Sequence, residues 1–128
     1  MEKNNLPKII PVFPLSNFIL FPKTSVPLNI FEPRYIDMIN DSMKLNKLIG
    51  MIQPFGSNDI EELPPKLHTI GCLGKITSFK ETDNGTFLVE LKGLVRFETI
   101  NEIESNKKYR QYEVNFEKFQ NDLKNKKE

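Results

Sequence analysis

The 128-residue chain has a single cysteine, Cys72, one histidine, His68, and neither tryptophan nor alanine. One cysteine excludes an intramolecular disulfide and any zinc site built on several thiolates, and it fits a reducing compartment. One histidine leaves little room for a multi-histidine metal site. Long apolar runs are missing too: none approaches the roughly 18 residues that a membrane-spanning helix needs. The first residues, Met-Glu-Lys-Asn-Asn-Leu-Pro-Lys, lack the apolar centre of a signal peptide, so a cytoplasmic location is the expectation. Charge of one sign is also lacking. Eighteen Lys and Arg against 17 Asp and Glu leave a formal net charge of +1, which offers no global field for nucleic acid or an anionic membrane.

What the chain does contain is phenylalanine, ten residues of it, and nine prolines. The length suits one domain with a modest core. The stretch Pro27–Tyr35 organises the reading. Val26, Leu28 and Ile30 alternate with polar or turn residues, the two-residue period of a half-buried strand. Pro33 then occupies the first turn of a helix, where its missing N–H is no loss. Tyr35, Met38, Ile39 and Met43 follow at helical spacing, predicting a helix to about Leu45. Glu32 places negative charge near the positive end of that helix, and a local Glu32–Arg34 ion pair is expected to fix the corner, the alternative being that the two side chains face a partner.

Before this corner, Ile9–Leu15 reads as extended. Its prolines at 11 and 14 predict an edge strand. Phe18–Phe21 is a short apolar run closed by Pro22. After the helix, Leu48–Gln53 reads as a strand buried on both faces, and 55–66 as an irregular, mobile segment. Ile70–Phe79 reads as a strand with Ile70, Cys72 and Ile76 on one face and Leu73 and Phe79 on the other, bent at Gly71 and Gly74. Asp83-Asn84-Gly85 predicts a hairpin turn using the positive φ that Asn-Gly adopts readily. Thr86–Lys92 returns, Gly93 interrupts, and Leu94–Ile100 resumes. Tyr109–Phe116 is the last strand. Phe116, Phe119 and Leu123 recur at helical spacing, as the start of a helix with nothing left to pack it. Short strands punctuated by Gly and Pro predict a small closed or nearly closed barrel.

Chemistry is sparse. Nothing around His68 resembles a nucleophile elbow, so His68 reads as a solvent-facing loop residue. Cys72, on an apolar strand face, reads as a buried structural thiol. Gly71–Thr77 faintly resembles a phosphate loop but fails on glycine spacing and on Ile76, which stands where a Mg²⁺-binding hydroxyl belongs. The carboxylates Glu61, Glu62, Glu81 and Asp83 are dispersed, and no acid–base pair stands out. The lysines at 107, 108, 124, 126 and 127 are interleaved with acids and read as solvated. No cofactor or metal is expected. Phe13, Phe18, Phe21, Phe31 and Phe55 are candidates for an exposed apolar surface; packing in the core is expected to claim at least three of the five.

The residues also carry a resemblance. Phe13-Pro-Leu-Ser-Asn-Phe-Ile-Leu-Phe-Pro22 followed by Pro27-Leu-Asn-Ile-Phe-Glu-Pro-Arg-Tyr35 resembles the amino-terminal, substrate-binding domain of the Lon protease family. Later pieces agree in order: Ile49-Gly-Met-Ile52, Ile70-Gly-Cys-Leu-Gly-Lys-Ile76, Asp83-Asn-Gly85, Lys92-Gly-Leu-Val-Arg-Phe97, and Tyr109–Val114, where Lys108 replaces the family's usual proline. The resemblance implies a mainly β (α+β) fold, a PUA-like β pseudo-barrel of about six strands with one packed helix and a short C-terminal helix. It implies a flexible stretch over 1–8, the domain over 9–116, and the start of a further helical segment over 117–128, as in the stand-alone bacterial form. No Walker A motif is present, so neither ATP nor peptide hydrolysis is expected, even under a peptidase S16 family label. The implied function is non-catalytic: a protein-binding module for unfolded or partner polypeptide segments, with self-association as an open alternative. The tentative surface is Phe18, Phe21, Phe31 and Phe55; Glu32, Pro33, Arg34 and Tyr35 are the tentative structural corner. The competing function is RNA binding, because PUA-like barrels elsewhere bind RNA. That rests on architecture alone, and the near-zero charge argues against it.

Overall fold

A computed structural model describes residues 6–16, 18–55 and 66–124. The expectations for the first residues, for most of 55–66 (Glu61 and Glu62 included), and for Lys126 and Lys127 fall outside these. The elements run β1 (Ile9–Pro14), β2 (Ser25–Ile30), α1 (Pro33–Met43), β3 (Leu48–Ile52), β4 (Ile70–Glu81), β5 (Phe87–Ile103) and β6 (Gln111–Asn115), then a 3-10 helix over Glu117–Leu123. The six strands form one sheet in the order β2-β5-β4-β3-β1-β6, and β6 pairs back onto β5. Five strands therefore close into a barrel-like circuit, and β2 is left with β5 as its strand partner.

The long strand β5 makes the closure possible. One edge pairs with β4. The other is used in two halves, Phe87–Lys92 by β2 and Glu98–Ile103 by β6. The interruption expected at Gly93 is absent: the two predicted strands are one element of 17 residues. Gly93 is needed for a different reason. A Cβ there would be driven into the carbonyl of Phe21, where the chain crosses before entering β2.

β1 also departs from expectation. It is not an edge strand but lies between β3 and β6. Its two pairings are staggered, residues 9–11 against β6 and 12–14 against β3. Val12 N–H reaches Arg110 on the β6 side, and Leu15 N–H reaches Ile52 on the β3 side. Strand alternation then turns the nitrogen of Pro11 toward β3 before that pairing begins, and that of Pro14 toward β6 after that pairing ends. Each missing donor falls where the strand has no ladder to break.

α1 begins at Pro33 as expected, with Glu32 extended at φ −72° and ψ 134°, the backbone a residue before proline prefers. Tyr35, Met38, Ile39 and Ser42 are buried. The first three join Phe13, Leu28, Ile30, Met51, Phe87 and Leu91 in one apolar cluster. A second cluster gathers Ile10, Val12, Leu48, Leu73, Val95, Phe97 and Val114 from the five strands of the circuit. β3 serves both, Ile49 and Met51 in the first and Leu48 and Ile52 in the second. The Thr82–Thr86 turn is closed by paired hydroxyls at 2.8 Å. Only Gly85, at φ +80°, takes the left-handed conformation; Asn84 does not, so the turn is a three-residue loop rather than a two-residue one.

The described residues from Phe116 to Leu123 are packed after all. Phe116 is buried, and Phe119 and Leu123 lie against the second cluster. The helix is 3-10 and kinked at Phe119, and it rests on β5.

Candidate functional site

Between β1 and β2 the chain leaves regular structure and carries four consecutive large apolar residues, Phe18–Phe21. They cannot all turn inward. Leu20 does: it is buried and seated over Gly74 and Gly93, whose missing Cβ atoms would lie 2.9 Å and 3.2 Å from it. The loop is then tied down at its end. Lys23 N–H donates to the Gly93 carbonyl, and Gly93 N–H to that of Thr24, both at 2.8 Å. The Thr24 hydroxyl donates to the Phe21 carbonyl at 2.8 Å. Lys23 completes the corner at φ 69°, a left-handed conformation without glycine.

With Leu20 as the peg, its neighbours are pushed into solvent: Phe18 is 42% exposed, Ile19 57% and Phe21 57%. Ile70, expected to face inward, is 48% exposed, because it begins β4 where β3 no longer covers it; their pairing starts at Cys72. These residues, with Met51, Cys72 and Arg96, surround an apolar cavity of about 120 Å³ between the loop, the start of β4 and the end of β3. Gly71 belongs to the lining, and a Cβ on it would meet the Met51 carbonyl oxygen at 2.5 Å. The cavity is well below the 300–1,000 Å³ of a small-molecule pocket. It has room for a protruding side chain.

The electrostatics are quiet. Arg96 is the charged residue of the lining, and Asp122 takes up its guanidinium at 2.9 Å from both Nε and a terminal nitrogen. Burial pushes the Cys72 thiol up to about 12, so it stays protonated at neutral pH and is no nucleophile. Among the described residues no cluster of His, Cys, Asp and Glu is arranged to hold a metal ion, and no helix is long and apolar enough to cross a membrane. His68 is exposed and packs edge-on against Phe55, with ring centroids 5.0 Å apart.

Of the five candidate phenylalanines only Phe13 is buried; core packing does not claim three. Phe18 and Phe21 meet at the cavity. Phe55 lies past β3 against His68 and Lys66 and does not line it. Phe31 stands in solvent between β2 and α1 and does not line the cavity. The Glu32–Arg34 pair forms, at 3.0 Å with both side chains about half exposed. Arg34 lies over the ring of Tyr35, which packs on Phe13 with centroids 4.4 Å apart. The corner and the groove are thus separate places. Sequence reasoning missed Ile19, Ile70, Arg96 and Asp122. The first had a signal in the run of four apolar residues; the others depend on contacts across the fold.

Fold and groove together define a small β-barrel domain with an apolar cleft beside its β1–β2 loop. The model of the ATP-dependent protease La (LON) substrate-binding domain matches residues 9–128, and the chain belongs to that family. It is similar to the Lon protease of Flavobacterium johnsoniae, 31% identical over 109 residues, covering 85% of this chain and 13% of that protein. Against the Lon protease of Desulfosudis oleivorans it is 32% identical over 104 residues, 80% of this chain and 13% of that one. The chain thus spans about an eighth of the length of these relatives. Among solved structures it resembles the Lon N-terminal domain protein from Xanthomonas campestris, with a TM-score of 0.67 and 24% identity over 84% of this chain and 59% of that one. The N-terminal domain of Mycobacterium avium complex Lon protease gives a TM-score of 0.66 at 14% identity, covering 85% and 54%. These two likenesses bear on the fold.

Proposed function

We propose that this chain is a non-catalytic, cytoplasmic polypeptide-binding module that holds unfolded or partner segments at the groove formed by Phe18, Ile19, Phe21 and Ile70. The observation that carries the reading is this group of large apolar side chains held in water around a side-chain-sized cavity. Exposed apolar surface of that kind marks a binding site more often than a packing accident. Family membership supports the same function class. The backbone of a bound segment also has a strand to add to: β2 pairs with β5 alone among the strands, whereas β1 is flanked on both sides. Strand addition supplies affinity and side-chain pockets supply selectivity.

RNA binding finds less support. Lys107, Lys108, Arg96 and Arg110 are each engaged by a carboxylate, those of Asp41, Asp37, Asp122 and Glu102. Such pairing leaves these four cations less available to a phosphate backbone.

A double variant, Phe18→Ser with Phe21→Ser, tests the proposal. Reduced, carboxymethylated protein should bind the natural chain and bind the variant at least about tenfold more weakly, a loss of about 1.4 kcal/mol, with melting unchanged. Sedimentation in parallel separates capture of a foreign segment from self-association. Equal binding by the two proteins would refute the assignment of the groove.

A further inference from the structure

The described C-terminal residues hold both walls of the groove. On one wall stands Arg96. Its backbone N–H and two guanidinium nitrogens all donate to the carboxylate of Asp122, at 3.0, 2.9 and 2.9 Å. The Asp122 side chain is only 10% exposed. Arg96 also lies over the ring of Phe119, 4.7 Å from its centroid.

The backbone contact has a topological cause. The Thr99 N–H donates to Thr69, on the β4 side of β5. Strand alternation turns the Arg96 N–H to the opposite edge. That edge is paired by β2 as far as Lys92 and by β6 from Glu98. Asp122 fills the interval, giving a partner to a donor that neither strand reaches.

The other wall is the Phe18–Phe21 loop. Lys23, which ends it in a left-handed conformation, donates through its ammonium group to the carbonyl of Lys124. The same short turn therefore grips the loop and the arginine across the cavity.

We propose that Glu117–Lys124 is a strap that sets the shape of the groove, with Arg96 and Asp122 as positioning residues for whatever side chain docks there. The strap is coupled to binding because Arg96 serves both at once. If Asp122 releases it, the guanidinium loses its fixed orientation beside Ile70 and Cys72. Phe119 loses its cover, and the loop loses a tether at Lys23. This inference rests on the polypeptide-binding reading of the groove, so its test carries one arm that uses no polypeptide.

The full chain is prepared as Asp122→Asn and as Phe119→Ala, with Gln120→Ala as control; Gln120 bonds within the turn, to Glu117. A labelled extended peptide rich in Leu and Phe is titrated into each. Separately, the methyl signals of Ile19 and Ile70 are recorded by NMR without peptide. Both strap variants should bind roughly five- to tenfold more weakly, the effect of about 1–1.4 kcal/mol of lost positioning, while the control binds as the natural chain does. Both should also move the two methyl signals. Natural affinity in a folded Asp122→Asn protein, or unmoved methyl signals, overturns the strap. If the natural chain binds no peptide, the groove reading fails by itself. The methyl signals then decide alone: moved, they uphold the strap; unmoved, they overturn it.

Discussion

Two adjacent residues, Leu20 and Phe21, should behave as opposites. Leu20 is the peg of the Phe18–Phe21 loop, buried over Gly74 and Gly93. Leu20→Ala removes three carbons from a packed position. A buried Leu→Ala change costs about 2–5 kcal/mol, depending on how far the site collapses. A loop relaxes more readily than a strand, so the lower end applies, about 2 kcal/mol. With a urea slope of about 1.5 kcal/mol per molar for a small domain, the unfolding midpoint should fall by a little over 1 M. Phe21 makes little core contact, and Phe21→Ala should move stability by no more than about 0.5 kcal/mol. Binding should reverse the order. Phe21→Ala should weaken capture of a reduced, unfolded polypeptide directly. Leu20→Ala should weaken it only through a loosened loop, and addition of a stabilising osmolyte should restore part of that loss. Urea unfolding and a titration on both variants decide the matter. Equal destabilisation by the two substitutions, or a silent Leu20→Ala, would refute the peg.

The Glu32–Arg34 pair and the carboxylate contacts give two further expectations. Arg34→Ala should lower stability by less than about 1 kcal/mol, since the pair is half exposed and exposed ion pairs are worth little; a thermal melt in low and high salt checks this, and a large loss would show that the corner depends on it more than its geometry suggests. Asp41, Glu102 and Asp122 are held below the ordinary carboxylate range, chiefly by hydrogen bonds from Tyr109, Arg110 and Arg96 respectively. A carboxylate whose folded pKa is depressed adds stability above its unfolded pKa, and that stability is lost as pH falls through the folded value. The urea midpoint should therefore drop between neutral pH and about pH 3, and Asp122→Asn should drop less; an equal drop would mean that Asp122 contributes nothing to the acid limb.

Much of the fold was legible because local signals agreed with each other. The Pro27–Tyr35 corner combined a two-residue period, a proline at the first helical position and a 3.6-residue period, and each holds in the structure. β3 read as buried on both faces, and it serves two apolar clusters. The failures share a cause: each depends on which segment lies alongside, and alternation carries no such information. The prolines of β1 suggest an edge when the strand is taken alone, whereas the staggered pairings leave both nitrogens without a ladder to break. Gly93 suggested an interruption because a glycine's reason for being small can lie in another segment, here the chain at Phe21. The groove was half legible. Phe18 and Phe21 stood out by composition, but Ile70 and Arg96 join them only through the register of β4 against β5.

Barrel closure explains why binding would fall to this loop. Five strands use their edges on one another, and their alternating residues fill the two clusters. The β1–β2 connection escapes that constraint. It is pinned at Leu20 and Lys23, so it can hold large apolar side chains in water without collapsing onto the sheet. Pinning also limits the entropy lost when a segment docks, because the loop is already ordered. The strap at Arg96 follows the same logic from the other side of the cleft. β5 changes partner from β2 to β6 at this point, and the interval left on its edge is taken by Asp122. The change of partner that closes the barrel therefore also fixes the charged wall of the groove.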